Sequence, residues 1–254
     1  MSELEKELTL LPPPELVQYV GGDFKKVGKE FLQHFIQIGA LQSNEKVLDV
    51  GCGVGRMAVP LMNYLNEDGA YYGFDLFKEG ITWCKNNIST IRNNFHFEHI
   101  DIYNQFYNPN GKEDAAQYRF PYEDESFDFI FLTSVFTHLL PKELEHYVSE
   151  IVRVLKKDGR CFITFFLINP ESSYYLNSGL STLAFHHQIE NCYVANKDIP
   201  NFAVAYAEKN VHTLLNKYDL ELTNQPHYGS WCGRTDSTSY QDIVLLKKQT
   251  KKEG

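Results

Sequence analysis

Nowhere does this chain space two cysteines as C-x-x-C. Its five, Cys52, Cys84, Cys161, Cys192 and Cys232, are scattered and odd in number. That speaks against a disulfide framework or a zinc cage and favours a reducing, cytoplasmic setting. Long apolar runs are also missing: no stretch of about 18 consecutive apolar residues occurs, so no membrane span is expected. The opening MSELEKELTLLPPPEL has no apolar signal core. Positive charge is in short supply, with 24 Lys and Arg against 33 Asp and Glu and a net charge of −9. Such a balance speaks against a protein held mainly by nucleic-acid phosphates or by an anionic membrane surface. No basic run stands out before Lys247–Lys252, which reads as a solvated terminus. There is no internal repeat, and Pro12–Pro14 is the only proline cluster.

What is present is enough for a sizeable core: 254 residues, 43% hydrophobic and 14% aromatic, a length that allows one or two domains. From Asp23 to Ala40, apolar residues recur at helical spacing through Val27, Phe31, Phe35 and Ile38. An alternation follows. Lys46–Val50 reads as a strand, Met57–Leu65 as a helix, Ala70–Phe74 as a strand and Lys78–Ile91 as a helix. A strand is expected near Phe95–Ile100, a long loop over Tyr103–Arg119 and a strand over Phe127–Val135. Pro141–Leu155 reads as a helix with proline in its first turn, ending before Lys-Lys-Asp-Gly, and Arg160–Leu167 as a strand. Strands alternating with helices of about 10–15 residues imply an α/β fold with a parallel sheet and helices on both faces. Ligands bind such sheets at the carboxyl ends of the strands. The segment Asn169–Asn201, rich in aromatics and His, breaks the rhythm and reads as an insertion over the sheet edge. A helix over Ala203–Tyr218 and strands over Leu220–Leu222 and Asp242–Leu246 complete the reading.

The chemistry concentrates in Val47-Leu48-Asp49-Val50-Gly51-Cys52-Gly53-Val54-Gly55-Arg56. Glycines directly after an apolar strand let the backbone turn sharply and let a ligand approach it closely. The helix that follows offers unpaired N–H groups and a positive dipole end. The spacing is G-x-G-x-G rather than the dinucleotide G-x-G-x-x-G, because Arg56 stands where the third glycine would fall. Asp49, two places before the first glycine, is poorly placed beside a pyrophosphate and well placed near a cationic ligand. Asp75, at the end of the second strand, can accept two ribose hydroxyls, or else cap the helix after it. Asp101 follows the third strand in the same way. Arg56 is either a partner for a carboxylate or a solvent-exposed helix residue.

These residues resemble the class I S-adenosylmethionine-dependent methyltransferases, whose first motif is hh(D/E)xGxGxG, with h apolar. The resemblance continues through YYGFD (Tyr71–Asp75), HID (His99–Asp101), the Phe120–Leu139 block and Glu150–Phe166, in order over about Lys46–Phe166. It implies a Rossmann-like, doubly wound, mostly parallel seven-stranded sheet with an antiparallel last strand, in one domain. That domain would comprise a helical segment (1–40), a cofactor core (41–168), an acceptor-side insertion (169–201) and a C-terminal helix and strands (202–247). It also implies S-adenosylmethionine as cofactor and S-adenosylhomocysteine as product. Asp49, Gly51, Cys52, Gly53, Gly55 and Arg56 would surround the amino-acid end, Asp75 the ribose, Leu76 the adenine face, and Asp101 with Ile102 the adenine edge. Thr133 and Phe136, in the loop after the fourth strand, would complete that site.

Methyl transfer needs mainly an acceptor in line with an already activated sulfonium. A base is required only when the acceptor arrives protonated. His138 is the one side chain in the fourth-strand loop that titrates near neutral pH: it is a candidate base, or a histidine hydrogen-bonded into the sheet end. That loop, Thr133-Ser134-Val135-Phe136, lacks the (D/N)PP(Y/F) that the resemblance associates with methylation of base amines or protein glutamine. Adjacent His186 and His187 point different ways on a regular element, so no metal site is expected. For the acceptor, Tyr19, Phe24, Tyr174, Tyr175, Trp231 and Arg234 are the candidates, by aromatic stacking and by an anion partner. The Trp231–Arg234 loop also reads as a packed hairpin corner. The expectation is a small-molecule acceptor, methylated on oxygen rather than nitrogen, with a sugar-containing metabolite preferred and no nucleic-acid or membrane partner. A nicotinamide oxidoreductase and a non-catalytic cofactor-binding protein are the alternatives. The sequence sets no oligomeric state.

Overall fold

The apolar run at Lys46–Val50 forms strand β1 in the computed structural model, which describes residues 10–248. Ahead of it lie α1 (Pro14–Val20) and α2 (Phe24–Gln37). Pro14 starts α1 at a position where its missing N–H costs nothing, and the Asp23 side chain caps α2 by accepting the Lys26 N–H at 2.9 Å. After β1 come α3 (Ala58–Met62), β2 (Ala70–Asp75), α4 (Lys78–Asn87), β3 (Phe95–His99) and β4 (Phe127–Leu132). These are followed by α5 (Pro141–Val154), β5 (Leu155–Phe165), β6 (Leu167–Ile168), α6 (Pro170–Asn177), β7 (His187–Ile189), β8 (Cys192–Val194) and β9 (Val204–Ala207). The last elements are α7 (Glu208–Lys217), β10 (Leu220–Leu222) and β11 (Asp242–Lys248). The main sheet has seven strands in the order β3-β2-β1-β4-β5-β11-β10. Strands β3, β2, β1 and β4 pair in parallel, while β11 runs antiparallel to both β5 and β10. A second sheet, of four strands, runs β6-β9-β8-β7.

The chain divides into two compact units: one runs to Asp101 and takes in Phe127–Phe131, the other takes Ile102–Ser126 and the residues from Leu132 onward. In the first unit, α2 lays Phe31 and Phe35 on the sheet, where Phe35 meets Phe131 at 4.3 Å and Phe129 at 5.8 Å between ring centroids. Burying these rings is worth a few kcal/mol each, which holds an otherwise polar helix in place. Gly28 is needed for this packing, since a Cβ there would sit 2.6 Å from the Arg56 carbonyl oxygen. The second unit has its own core, where Phe166, Phe185, Ala205, Trp231 and Cys232 pack together.

Several boundaries differ from the sequence reading. Val204–Ala207 is a strand and not the start of a helix, because its main chain pairs with β8 and β6 before α7 begins. Asn169–Asn201 contains regular elements: Asn169 caps α6 by accepting the Ser172 N–H at 2.9 Å, and β7 and β8 make a hairpin. Lys-Lys-Asp-Gly lies inside β5, with Asp158 in the left-handed region at φ 63°. Of the basic tail, Lys247 and Lys248 belong to β11, and the remainder lies outside the described residues. No described helix is long and apolar enough to cross a membrane. All five cysteines are free and buried.

Candidate functional site

At the carboxyl end of β1 the backbone takes a left-handed step three times, at Gly51 (φ 82°), Gly53 (φ 56°) and Gly55 (φ 76°). Side chains other than hydrogen strain there, which explains the alternate glycines. The loop is tied to β2, as the N–H groups of Gly51 and Cys52 both donate to the Phe74 carbonyl, at 3.0 and 3.1 Å. A Cβ at Gly55 would lie 2.8 Å from Ile88 Cδ1 and 3.0 Å from Cys84 Sγ, so α4 packs against the loop only because Gly55 is bare.

Asp75 organises this end of the unit. Its Oδ2 accepts the Gly53 N–H at 2.7 Å and its Oδ1 accepts the Phe77 N–H at 2.7 Å. Burial raises its pKa, opposed by the Phe77 and Gly53 N–H groups. The Leu76 N–H adds to these, and a carboxylate with about four lone-pair sites still has accepting capacity left. Leu76, beside it, is half-buried. Asp101, also half-buried, follows Ile100, whose N–H donates to the Asp75 carbonyl at 3.0 Å.

Asp49 is almost wholly buried, 1% exposed. Its Oδ2 accepts the Tyr71 hydroxyl at 2.6 Å, while Oδ1 has no hydrogen-bond partner among the described residues. Burial pushes its pKa up to about 8, against the pull of Tyr71 and Arg56 and with a push from Asp75. A buried carboxylate oxygen without a donor is costly, and a cationic ligand relieves it. Of the two readings of Arg56, the structure engages its Nη1 with protein: it donates to the carbonyls of Val20 and Gly21, at 2.9 and 2.8 Å, at the end of α1. Tyr19, on α1, stacks on Phe77 at 3.8 Å with an interplanar angle of 11°. Cys52 is buried, and burial raises its thiol pKa well above the ordinary value.

Residues 48–163 match the family described as a methyltransferase domain. Over that stretch, just under half of the chain, the sequence is similar to methyltransferase domains. Over 116 residues it is 28% identical to the tRNA N(3)-cytidine methyltransferase METTL2 of Gallus gallus, a match over 45% of this chain and 28% of that protein. The chain thus spans well under two thirds of the length of the curated relatives it matches. Among solved structures, the PH0226 protein of Pyrococcus horikoshii OT3 superposes with a TM-score of 0.63 at 16% identity, covering 96% of this chain and 99% of that one. A SAM-dependent methyltransferase from Methanosarcina mazei gives 0.58 at 20% identity, covering 85% and 98%. At these identities the structural likeness shows the fold.

In the second unit, the loop after β4 is strained. Ser134 sits at φ 64°. A closed ring of bonds holds it: Ser134 N–H donates to Thr164 Oγ1 at 2.7 Å, Thr164 Oγ1 to Gln241 Oε1 at 2.6 Å, and Gln241 Nε2 to Ser134 Oγ at 2.9 Å. Thr133, next to it, is half-buried. Phe136 differs from its expected cofactor role: it is fully buried, 5.3 Å from the ring of Phe165.

His138 has both ring nitrogens engaged. Nδ1 donates to the Asn201 carbonyl at 2.8 Å, which leaves Nε2 to accept the Tyr107 hydroxyl at 3.2 Å. Burial lowers its pKa, so the neutral ring is favoured. Around it stands an aromatic group that the sequence did not announce. Phe106 and Phe202, both exposed, meet edge-to-face at 5.3 Å, and Phe106 meets Tyr107 at 4.7 Å.

The acceptor candidates divide. Trp231 is fully buried, with its ring 5.2 Å from Phe166 and 5.5 Å from Phe185 and its Nε1 donating to Asp242 Oδ2 at 2.8 Å. It offers no face for stacking. Arg234 is also internal, bonded to the Gly229 carbonyl and Glu171 and lying 4.7 Å over the Tyr228 ring. The packed corner is therefore what the structure shows in this loop. Phe24 is buried as the first residue of α2. Tyr174 is exposed and meets the half-buried Tyr175 at 5.6 Å.

Proposed function

We propose that this protein transfers a methyl group from S-adenosylmethionine to a hydroxyl of a small acceptor, a sugar-containing metabolite being the preferred class, in a reducing cytoplasmic setting. The observation that carries the cofactor half is the set of three left-handed glycines between two buried acids, Asp49 with an unpartnered oxygen and Asp75 with open lone pairs. The bare loop admits close approach of the amino-acid end, and Asp49 suits its ammonium. Asp75 suits the ribose hydroxyls, with Leu76 and Asp101 toward the adenine. When bound, the cofactor supplies an activated methyl group, and the chain's own work is to bind and orient.

The hydroxyl half rests on His138 and Tyr107. A neutral imidazole can take up a proton, but Tyr107 already donates to Nε2, so an acceptor proton reaches His138 through Tyr107 Oη. The exposed Phe106 and Phe202 rings beside this pair, together with Tyr174, supply faces on which a sugar or ring can rest. A panel of hydroxylated metabolites, amines and tRNA incubated with methyl-labelled S-adenosylmethionine tests the proposal. Label in a hydroxylated small molecule supports it. Label confined to amines or to tRNA overturns the acceptor assignment while leaving the cofactor assignment standing.

A further inference from the structure

The Asp49–Tyr71 pair has a consequence for cofactor binding that rests on the cofactor assignment above. In the β1–β2 register, Val47 faces Tyr71 and Asp49 faces Gly73. Val47 and Asp49 share one face of β1, so the long Tyr71 side chain runs diagonally toward Asp49. It fits because its neighbour is glycine: a Cβ at Gly73 would lie 2.9 Å from Tyr71 Oη and 2.9 Å from Cys52 Cβ. The stacked ring of Phe95, 5.0 Å away, fixes Tyr71 from the other side.

The groups acting on Asp49 are Tyr71 and Asp75 from β2, Cys52 and Arg56 from the glycine loop, and Cys84 from α4. From β4, Phe131 is its register partner and carries no charge. Among the described residues, Asp75 repels a charge on Asp49, Arg56 attracts it, and Tyr71 is the one donor bonded to the carboxylate. Burial of so poorly compensated a carboxylate favours its neutral form.

We propose that Asp49 is the neutral acid in the cofactor-free protein, positioned by Tyr71, and that the ammonium of the bound cofactor takes the unpartnered Oδ1 and expels the proton. Tyr71 is then a positioning residue: it orients the carboxylate and sets the pH at which the exchange occurs. The balance is simple. One proton leaves the Asp49–ligand pair for solvent, and a buried carboxylate–ammonium pair forms.

Titration calorimetry in two buffers of different ionisation heat, such as phosphate and Tris, counts that proton. At pH 7 the protein should release about nine-tenths of a proton per S-adenosylmethionine or S-adenosylhomocysteine bound. Affinity should rise about tenfold per pH unit between roughly pH 6 and 8. Methylthioadenosine, which lacks the amino-acid end, should bind without release. Asp49→Asn should abolish the release and flatten the pH dependence. Tyr71→Phe should keep the release and move its window to higher pH, an effect that a merely structural role would not produce. Release close to zero in the unaltered protein, or release retained in Asp49→Asn, would overturn the proposal. Failure of both S-adenosyl ligands to bind at all would instead overturn the cofactor assignment.

Discussion

Asp75 Oδ2 accepts the Gly53 N–H at 2.7 Å across 22 residues of chain, so one carboxylate both shapes the glycine loop and presents itself beside it. Through Oδ1 the same group fixes the start of α4 at Phe77. Loop geometry and the start of α4 thus depend on a single side chain, and these N–H donors offset the cost of burying its carboxylate.

Replacing Gly55 with alanine places a methyl group at φ 76°, against Ile88 and Cys84. The variant should lose about 1–2 kcal/mol of stability, read as a lower midpoint in urea. It should also bind S-adenosylhomocysteine at least tenfold more weakly by titration calorimetry. Unchanged affinity would show that the loop shape is not needed by the ligand.

The pH dependence of stability carries two opposite signs. The pKa of Asp49 is raised to about 8 in the folded protein, against about 4 when unfolded. The folded state therefore holds the extra proton between those values, and stability falls as pH rises through them. The pKa of His138 is lowered by burial, so the unfolded chain takes up the proton first and stability falls as pH drops below about 6.5. Asp49→Asn should raise the melting temperature by roughly 3–8 °C at pH 8 and by little near pH 4. Differential scanning calorimetry across that range checks both arms. A gain independent of pH would contradict the assignment to Asp49.

Trp231→Phe removes the Nε1 donor to Asp242, a buried carboxylate that also accepts the N–H groups of Leu167 and Gly229. The cost should be about 1–3 kcal/mol of stability, with cofactor affinity unaltered. A large change in acceptor use at full stability would return Trp231 to a recognition role.

Most of the parallel framework was legible in the residues themselves. Lys46–Val50, Ala70–Asp75 and Phe127–Leu132 are apolar enough to declare strands buried on both faces, and the glycines and acids stand at their ends. What the sequence hid depends on distant partners. Val204–Ala207 carries alanines that favour a helix, yet β8 and β6 claim its hydrogen bonds. The start of α6 had a readable signal in Asn169-Pro170, a cap followed by proline, which the aromatic richness around it obscured. Trp231 and Arg234 looked like recognition residues because loop aromatics and arginines often are; Asp242, 11 residues after Trp231, and Glu171, 63 residues before Arg234, draw them inward. Tyr71 gave no sign at all, since its role needs the register with β1 and the gap left by Gly73.

The placement of S-adenosylmethionine on the Gly51–Asp75 loop is tested most directly by calorimetric titration of S-adenosylhomocysteine into the unaltered protein, Asp75→Asn and Asp75→Ala. The unaltered protein should bind it and not NADH. Both variants should bind at least tenfold more weakly, a loss of about 1.4 kcal/mol or more from a charge-assisted partner. An unchanged dissociation constant in Asp75→Ala, or binding of NADH in place of S-adenosylhomocysteine, would contradict it.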